Sequence, residues 1–306
     1  MSTVVAIDQL RDALTVRAAQ LGFDSARAER LADHFLDAEM RGARGHGAER
    51  MRWLHGLGDL RPQAVPLLRE RSDGLARYDG DGALGYLALA EVLADELADP
   101  PRGARLIAVG DCFPTGRLGY YADLGADAGL LTLVTATSTA RIVHPEGGPP
   151  LLGTNPLCLG LPGRPATVID VSMGAVTYGA VLKKAATGRE LEPGAAILPD
   201  GSVTRDPADV IANRAGIAPF GADQSYKGFA LALLVETLCS ALAGLEGHSA
   251  AVLLARPAAD PMPGLRSGLE GRHVPGEGSL ERLRASRTAG TVDLPDDLWA
   301  WLQPAG

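Results

Sequence analysis

The stretch Gly80-Asp81-Gly82-Ala83-Leu84-Gly85 decides between two fold classes, because it matches the GxGxxG fingerprint of a Rossmann dinucleotide site. That fingerprint requires a buried strand before the glycines and an acidic residue about 20 positions after them. Here the preceding segment, residues 73–79, is short and polar, and Arg105 stands where the acid is required. We therefore interpret the stretch as a turn that starts a helix, and the sequence does not favour a Rossmann fold.

The segments on either side of this stretch predict mixed secondary structure. Before it, apolar residues recur at steps of three and four, as on one face of a helix, with Asp8 as the N-cap of the first helix. After it, short apolar runs bounded by Gly, Pro or Asp are typical of strands. We predict helices over residues 8–21, 24–38, 51–60, 85–97, 229–242, 279–289 and 295–302, and strands over residues 105–109, 130–135, 157–161, 167–171 and 250–254.

This pattern predicts an α+β fold with two domains, for which 306 residues are enough. We expect residues 1–75 to form a smaller helical domain, with residues 276–306 packing back on it. Residues 76–275 would form a larger domain around a mixed sheet. The turn-rich segment 147–156 is expected to be a structured loop between two strands, in which backbone groups face a ligand.

The composition excludes several classes of partner and environment. The net charge of −8 argues against nucleic acid, because phosphate binding needs a clustered positive surface. The longest purely apolar run, Phe229 to Val235, is much shorter than the about 20 residues of a membrane-spanning helix. Residues 1–12 lack the pattern of a secretory signal. The three cysteines are widely spaced without a CxxC pair, which predicts free thiols and a cytoplasmic protein.

Residues 41–50 contain the first candidate site. His46 lies between Gly45 and Gly47, so backbone or ligand can approach it closely, and Arg50 follows one helical turn later. A titratable imidazole beside a guanidinium suits binding of a carboxylate and exchange of a proton with an adjacent oxygen. The alternative interpretation is a loop histidine and an unrelated surface arginine.

Lys227 is the second candidate, because a lysine at the start of an apolar helix opposes the helix dipole. Local rules are most often broken at functional sites, although a solvated lysine at a loop edge is the open alternative. The sequence contains no GxSxG, HExxH or P-loop motif. No metal site is predicted, because the remaining histidines lack metal-like spacing: His34, His55, His144, His248 and His273.

Several motifs in this order resemble the malate/L-lactate dehydrogenase family that is unrelated to the Rossmann dehydrogenases. That family includes ureidoglycolate dehydrogenase, sulfolactate dehydrogenase, 2,3-diketo-L-gulonate reductase and Δ1-piperideine-2-carboxylate reductase. The resemblance implies a non-Rossmann, nicotinamide-binding mixed-sheet domain, here residues 76–275, and a homodimer with active sites near the subunit interface. It also implies hydride transfer between NAD(H) or NADP(H) and C2 of a small 2-oxo acid or cyclic imine carboxylate. The motifs are found at residues 41–50, 116–121, 147–148, 152–156, 170–179, 227–228 and 275–277.

The resemblance also implies roles for single residues. His46 takes the position proposed for acid–base catalysis in part of the family, and Arg50 would pair with the substrate carboxylate. The protein would supply orientation and a proton, while the nicotinamide carries the hydride. The residues implied for the cofactor site are Thr139, Asp170, Met173, Tyr178, Tyr226, Lys227, Gly276 and Glu277.

Two departures from the family pattern leave alternatives open. Pro114 stands where the family usually has a histidine that is catalytic in some members, and Gly45 replaces a serine. A ketone needs a proton donor or an oxyanion stabiliser during reduction, whereas a cyclic iminium arrives already protonated. The departures therefore favour imine reduction without excluding a keto acid. The alternative is a redox-inactive member that binds a nucleotide or metabolite, or that catalyses a non-redox step.

Overall fold

The strands of this protein are taken from a computed structural model, which describes residues 1–244 and 247–303. In chain order they are β1 (Ser2–Ala6), β2 (Leu67–Arg71), β3 (Leu75–Ala83), β4 (Ala104–Cys112), β5 (Leu131–Ala136), β6 (Ile142–His144), β7 (Gly147–Leu152), β8 (Leu157–Leu161), β9 (Thr167–Val171), β10 (Ala196–Ile197), β11 (Val203–Thr204), β12 (Gly216–Ile217), β13 (Ala250–Ala255) and β14 (Thr291–Pro295).

The α-helices cover both faces of the main sheet and form a separate layer at the N-terminus. In chain order they are α1 (Ile7–Gln20), α2 (Ser25–Met40), α3 (Glu49–His55), α4 (Gly85–Ala98), α5 (Leu118–Asp127), α6 (Tyr178–Ala186), α7 (Pro207–Ile211), α8 (Ser225–Ala243), α9 (Met262–Gly268), α10 (Glu277–Ala289) and α11 (Asp296–Leu302).

A seven-stranded sheet in the order β2-β3-β4-β13-β5-β8-β9 is the framework of the fold. Strands β3 and β4 are parallel and are connected by α4, while the other neighbours are antiparallel. Alternate residues of a strand face opposite sides of a sheet. In β13, Ala250 and Val252 pack with α4 and α5, whereas Ala251 packs with α8. The sheet therefore lies between α4 and α5 on one face and α8 on the other.

A second, five-stranded sheet has the order β11-β10-β12-β6-β7. Its short strands share an apolar cluster with α6 and α7, centred on Val181, Val210 and Ile217. This sheet matters for the site, because it fixes the start of α6 next to the loop that carries His46.

The two ends of the chain meet in the helical layer. Strand β1 pairs antiparallel with β14 over its whole length. Buried residues of α1, α2 and α3 share one cluster with Leu283, Leu294 and Leu302 from the C-terminal segment. The Asp24 carboxylate accepts a hydrogen bond of 2.9 Å from the Arg27 N–H, as expected for the N-cap of α2. The division of the chain into two domains at residues 75 and 275 stays a prediction.

The structure confirms most predicted elements, with strands β8 and β9 at the predicted residues. It corrects the first N-cap, because α1 begins at Ile7 and Asp8 lies inside its first turn. The third helix is shorter than predicted and ends at His55. Residues 147–152 are not a loop but strand β7, which tolerates two prolines because it lies at the edge of its sheet.

The interpretation of the polar segment 73–79 as lacking a strand is also wrong, because residues 75–79 belong to β3. Ala76 and Tyr78 are buried, while the charges of Arg77 and Asp79 are paired on the adjacent strand β2 with Glu70 and Arg69. A half-buried strand with satisfied charges has little apolar signal of its own. The glycines at 80 and 82 lie inside the strand rather than in a phosphate-binding turn, so the non-Rossmann conclusion holds for a different reason.

One helical stretch, Ala222–Ala243, is long and apolar enough to cross a membrane by length and composition alone. A single helix of this kind is weak evidence for a membrane, because a core helix meets the same criteria. Its inner side packs on the seven-stranded sheet. Its outer side exposes Leu231, Leu233, Leu234 and Leu238.

Candidate active site

His46 and Arg50 lie in one compact unit between α2 and α3. Residues 44–46 form a 3-10 turn, and the half-buried His46 closes it with a 2.8 Å hydrogen bond from its backbone N–H to Ala43 O. Arg50 Nε donates to Gly45 O at 2.7 Å, which folds the guanidinium back over the turn. Arg50 thus contacts the backbone of the turn that carries His46, while the roles of both side chains stay predictions.

The His46 imidazole is held in its neutral form in the free protein. Burial lowers its pKa to about 4, and the positive charges of Arg50 and Arg117 act in the same direction. A protonated imidazole would be desolvated and repelled by both guanidinium groups. An anion bound here would reverse this balance, because negative charge beside the ring favours the imidazolium.

The carboxyl group of Glu39, on α2, packs against the backbone of this unit. Its Oε1 accepts a 2.8 Å hydrogen bond from the Ala48 N–H, and a Cβ atom at Gly47 would lie only 2.1 Å from the same oxygen. Gly47 is therefore needed for the close approach of this carboxyl group. Burial raises the pKa of Glu39 to about 7, opposed by the Ala48 hydrogen bond and by Arg44. Sequence reasoning missed Glu39, although the glycine after His46 was a signal of a tight contact.

A buried ion cluster forms the wall behind His46. Arg41 contacts Asp37 at 2.9 Å and Asp123 at 2.7 Å, and Arg117 contacts the same two carboxylates at 2.5 Å and 3.4 Å. Two guanidinium groups and two carboxylates balance each other, and they tie α2 to α5. Because Arg117 also lowers the pKa of His46, the cluster contributes to the electrostatics of the site.

An aromatic group completes this wall. The Arg117 backbone N–H donates to His34 Nε2 at 3.3 Å. Burial lowers the pKa of His34 well below its ordinary value, and Arg117 and His46 add to this shift. The His34 ring contacts Tyr86 with 4.9 Å between centroids. Gly116 permits this packing, since its φ is +72° and a Cβ would lie 2.1 Å from Tyr86 Cε1.

Pro114 contributes no titratable group to this site. The half-buried proline packs against the first residue of α4, because a Cβ at Gly85 would come within 2.7 Å of Pro114 O. The preceding Phe113 stacks on His248 with 4.3 Å between ring centroids. A proline side chain can neither donate nor accept a proton, so any proton transfer must use another residue.

Three of the residues implied for the cofactor lie around the end of β9. Asp170 Oδ2 accepts a 3.2 Å hydrogen bond from the Gly119 N–H at the start of α5. Gly276, the N-cap of α10, packs on the carbonyl oxygen of Val168. Glu277 forms a 3.3 Å ion pair with Arg266. Burial raises the pKa of Asp170, whereas the positive charge of Arg117 lowers the pKa of both Asp170 and His46.

Tyr178 lies on another side of the His46 turn, at the first residue of α6. Its ring is covered by the Arg141 guanidinium, 4.1 Å from the ring centroid. Thr139 is exposed in the turn after β5, whereas Met173 is 2% exposed and packs in the apolar cluster beneath α8. The side chain of Met173 is therefore part of the apolar core and is not exposed to a ligand.

Tyr226 and Lys227 are not brought together with His46. Both are exposed in the first turn of α8, where Lys227 Nζ contacts Gln224 and lies 5.8 Å from the Tyr226 ring centroid. Within residues 1–244 and 247–303, no hydrogen bond, ion pair or ring contact joins either residue to His46 or Arg50. Their assignment to the cofactor site stays a prediction.

The His46 turn and the start of α6 lie against each other at two glycines. A Cβ built on Gly45 would lie 3.9 Å from Gly179 Cα, so the two backbones approach closely there. Tyr178 and Arg141 stand beside this contact and offer an aromatic face and a positive charge. These are groups that complement the rings and phosphates of a nucleotide. No group of three His, Cys, Asp or Glu side chains that could hold a metal ion is found in the described part of the chain.

The comparisons with known proteins identify the family of this chain. Residues 5–265 match the family model described as malate/L-lactate dehydrogenase. The malate/(S)-sulfolactate dehydrogenase of Methanothermus fervidus is 30% identical over 233 residues, which cover 74% of this chain and 67% of that protein. The Delta(1)-pyrroline-2-carboxylate reductase of Ancylobacter novellus is 30% identical over 237 residues, which cover 75% and 67%.

A solved structure extends the match to the fold. The crystal structure of a dehydrogenase from Sinorhizobium meliloti has a TM-score of 0.83 and 28% identity, and the match covers 99% of this chain and 97% of that chain. The resemblance inferred from the motifs and the predicted α+β, non-Rossmann fold are both confirmed. The chain belongs to the malate/L-lactate dehydrogenase family and is an oxidoreductase.

Proposed function

We propose that this protein transfers hydride between NAD(H) or NADP(H) and C2 of a small 2-oxo acid or cyclic imine carboxylate. The observation that carries the proposal is the contact of Arg50 Nε with Gly45 O, in the turn that holds the neutral His46 imidazole. The named activities of the relatives, on sulfolactate and on pyrroline-2-carboxylate, support this substrate class.

Arg50 is the residue that would hold the substrate carboxylate. Its Nε is engaged by Gly45 O, and its guanidinium lies 5.5 Å from the Trp53 ring centroid. The side chain is thus fixed by one nitrogen, while its terminal nitrogens have no hydrogen-bond partner in the described part of the chain and can make a two-pronged contact with a carboxylate. The substrate charge would then raise the pKa of His46, so that substrate and proton arrive together.

The cofactor would lie beside the His46 turn, held by Tyr178 and supported by Asp170, Gly276 and Glu277. When bound there, a reduced nicotinamide supplies the hydride. The chain itself binds the carboxylate, positions C2 and delivers a proton to the atom that receives negative charge. For Thr139, Met173, Tyr226 and Lys227, the assignment to the cofactor site rests on the family resemblance alone.

The proposal predicts saturable binding of NADH or NADPH, measured as a change in nicotinamide fluorescence. We further expect turnover with members of a panel of 2-oxo acids and cyclic imine carboxylates. The matched carboxamides should not react, because Arg50 recognises a negative charge. A protein that binds neither nucleotide would instead be the redox-inactive family member, for which the proline at 114 is the structural argument.

We also propose a homodimer that buries the outer face of α8. Leu231, Leu234 and Leu238 lie at helical spacing on this face and are 40%, 55% and 40% exposed. From Gly228 to Ala243 the helix carries one charged residue, Glu236. A second copy of the same apolar face is the occupant that matches it without a charged partner.

Replacing Leu234 by Glu should convert the dimer into a monomer, as measured by light scattering after size-exclusion chromatography. A buried, unpaired carboxylate in the centre of an apolar interface is strongly unfavourable. Val16→Glu on α1 is the matched control, because Val16 is similarly exposed at 43%. The proposed interface is wrong if both variants keep the mass of the unaltered protein.

We place the protein in the cytoplasm. Its three cysteines, Cys112, Cys158 and Cys239, are buried free thiols. Burial raises the pKa of Cys112 and Cys239 to about 12, so both remain protonated and unreactive. Unpaired thiols of this kind are typical of proteins in a reducing compartment.

A further inference from the structure

Among the described residues, Tyr86 differs from the other deeply buried tyrosines in the hydrogen bonding of its hydroxyl group. The Tyr121 hydroxyl donates to Thr115 O at 2.7 Å, and the Tyr78 hydroxyl donates to Glu96 at 2.7 Å. Tyr86 is only 2% exposed, yet within residues 1–244 and 247–303 its hydroxyl has no hydrogen-bond partner. Buried tyrosine hydroxyls usually find such a partner.

This hydroxyl borders a space that solvent reaches. Some polar atoms of the described residues, such as His34 Nδ1 and Arg117 Nε, are fully enclosed and have no partner. The Tyr86 oxygen also has no partner, but it is not fully enclosed. In the free protein water is therefore the partner left to it by the described residues. A ligand with an acceptor oxygen can take the place of that water.

The phenol belongs to the wall of the His46 site. Its ring packs between Gly116 and His34, and Gly85, the residue before it, packs on the carbonyl oxygen of Pro114. Tyr86 shares one buried apolar cluster with Ala48 and Met51, which stand on either side of Arg50 in the chain. Burial raises the pKa of Tyr86 to about 12, and the charge of Arg50 opposes this effect. The phenol is thus part of the packing behind the residue that would hold the substrate carboxylate.

We propose that the Tyr86 hydroxyl donates a hydrogen bond to the C2 oxygen of a bound 2-oxo acid and stabilises the negative charge that develops on it. The proposal rests on the proposed function, because it assigns a contact within the same site. Tyr86 keeps its proton throughout, and the proton that ends on the oxygen comes from His46. An oxyanion stabiliser of this kind is needed here because Pro114 has no hydrogen to donate.

The chemistry of the site favours a phenol for this task. At neutral pH a hydroxyl with a raised pKa is fully protonated, so the donor is always present. Its fixed ring needs no reorganisation as charge develops on the substrate, which is the property that makes such donors effective. A cyclic iminium carboxylate has no oxygen at C2, so Tyr86 should contribute nothing to its reduction.

The test is Tyr86→Phe, which removes one oxygen and keeps the ring. With pyruvate as the 2-oxo acid, we expect kcat/KM to fall by about 10²–10³, the usual cost of one oxyanion donor. With Δ1-piperideine-2-carboxylate we expect no change. Tyr120→Phe is the matched control, because Tyr120 also contacts His34 but is influenced by Asp33 and Asp37 rather than by Arg50.

A binding measurement without nucleotide provides an independent readout. By calorimetry the unaltered protein should bind pyruvate more tightly than propionate, which lacks the C2 oxygen. Tyr86→Phe should abolish this preference, and Tyr120→Phe should keep it. A preference that survives Tyr86→Phe, or no preference in the unaltered protein, overturns the proposal for Tyr86. Absence of any turnover with either substrate class would overturn the proposed function instead, while the binding comparison still decides the role of Tyr86.

Discussion

Replacing Arg117 by Met is expected to lower the free energy of unfolding by about 3–5 kcal/mol, which is the cost of leaving a buried charge unpaired. Arg117 is 8% exposed and shares Asp37 and Asp123 with Arg41. Without it, two carboxylates that are mostly buried, with side chains 15% and 22% exposed, compete for one guanidinium. Denaturant unfolding followed by circular dichroism measures the loss.

Two further variants separate this mechanism from a general effect of losing an arginine. Arg11 pairs with Asp33 on the surface, with side chains 48% and 40% exposed, and Arg11→Met should cost about 1 kcal/mol or less. The double variant Arg117→Met with Asp37→Asn retains one arginine and one aspartate in the cluster. It should therefore be more stable than Arg117→Met alone, because the charge balance is restored. Equal losses for Arg11→Met and Arg117→Met would contradict the assigned role of the cluster.

The elements that were predicted correctly are those whose burial is visible in their own residues. Strands β8 and β9 are apolar runs that end at Gly, Pro or Asp, and each is paired over its full length. Strand β3 escaped prediction because its exposed side is charged and is neutralised by β2. Such charges are satisfied only after the strands pair, so the segment alone resembles a polar loop.

The candidate site shows the same division between local and distant information. The sequence placed Arg50 one helical turn after His46, and Arg50 does fold back onto this turn, although its contact is with Gly45 O. Asp37 and Arg41 have the spacing of an ordinary surface pair on a helix, and only the fold shows that Arg117 and Asp123 bury them. The partners are about 80 positions apart in the chain, and no single-sequence pattern connects them.

Tyr86 illustrates the limit more sharply. In the sequence it is the second residue of a helix that follows the GxGxxG stretch, and apolar packing is the expected role of an aromatic residue there. Its proposed role depends on the absence of a hydrogen-bond partner for its hydroxyl among the described residues. Such an absence is known only when the positions of the neighbouring residues are known. Local patterns thus found the titratable and charged residues at the surface of the pocket, but not those in its wall.

Replacing His46 by Ala is expected to reduce kcat for the oxidation of a 2-hydroxy acid by about 10²–10⁴, the usual contribution of a general base. In this direction the neutral imidazole accepts the hydroxyl proton, and the free protein holds His46 in that form. The acidic limb of the profile of kcat/KM against pH reports the free enzyme. We therefore expect the limb near pH 4, where His46 becomes protonated, rather than near the ordinary value for histidine.

The direction in which the acidic limb moves when substrate binds distinguishes proton transfer by His46 from a structural role. In the complex the substrate carboxylate favours the imidazolium, so the limb of kcat should lie at higher pH than the limb of kcat/KM. His46→Ala should remove both limbs. His55→Gln is the matched control, because His55 contacts Arg17 O at 2.9 Å on the far side of α3 and should change neither profile. An acidic limb that persists unchanged in His46→Ala would assign the titration to another group and remove His46 from the proton transfer.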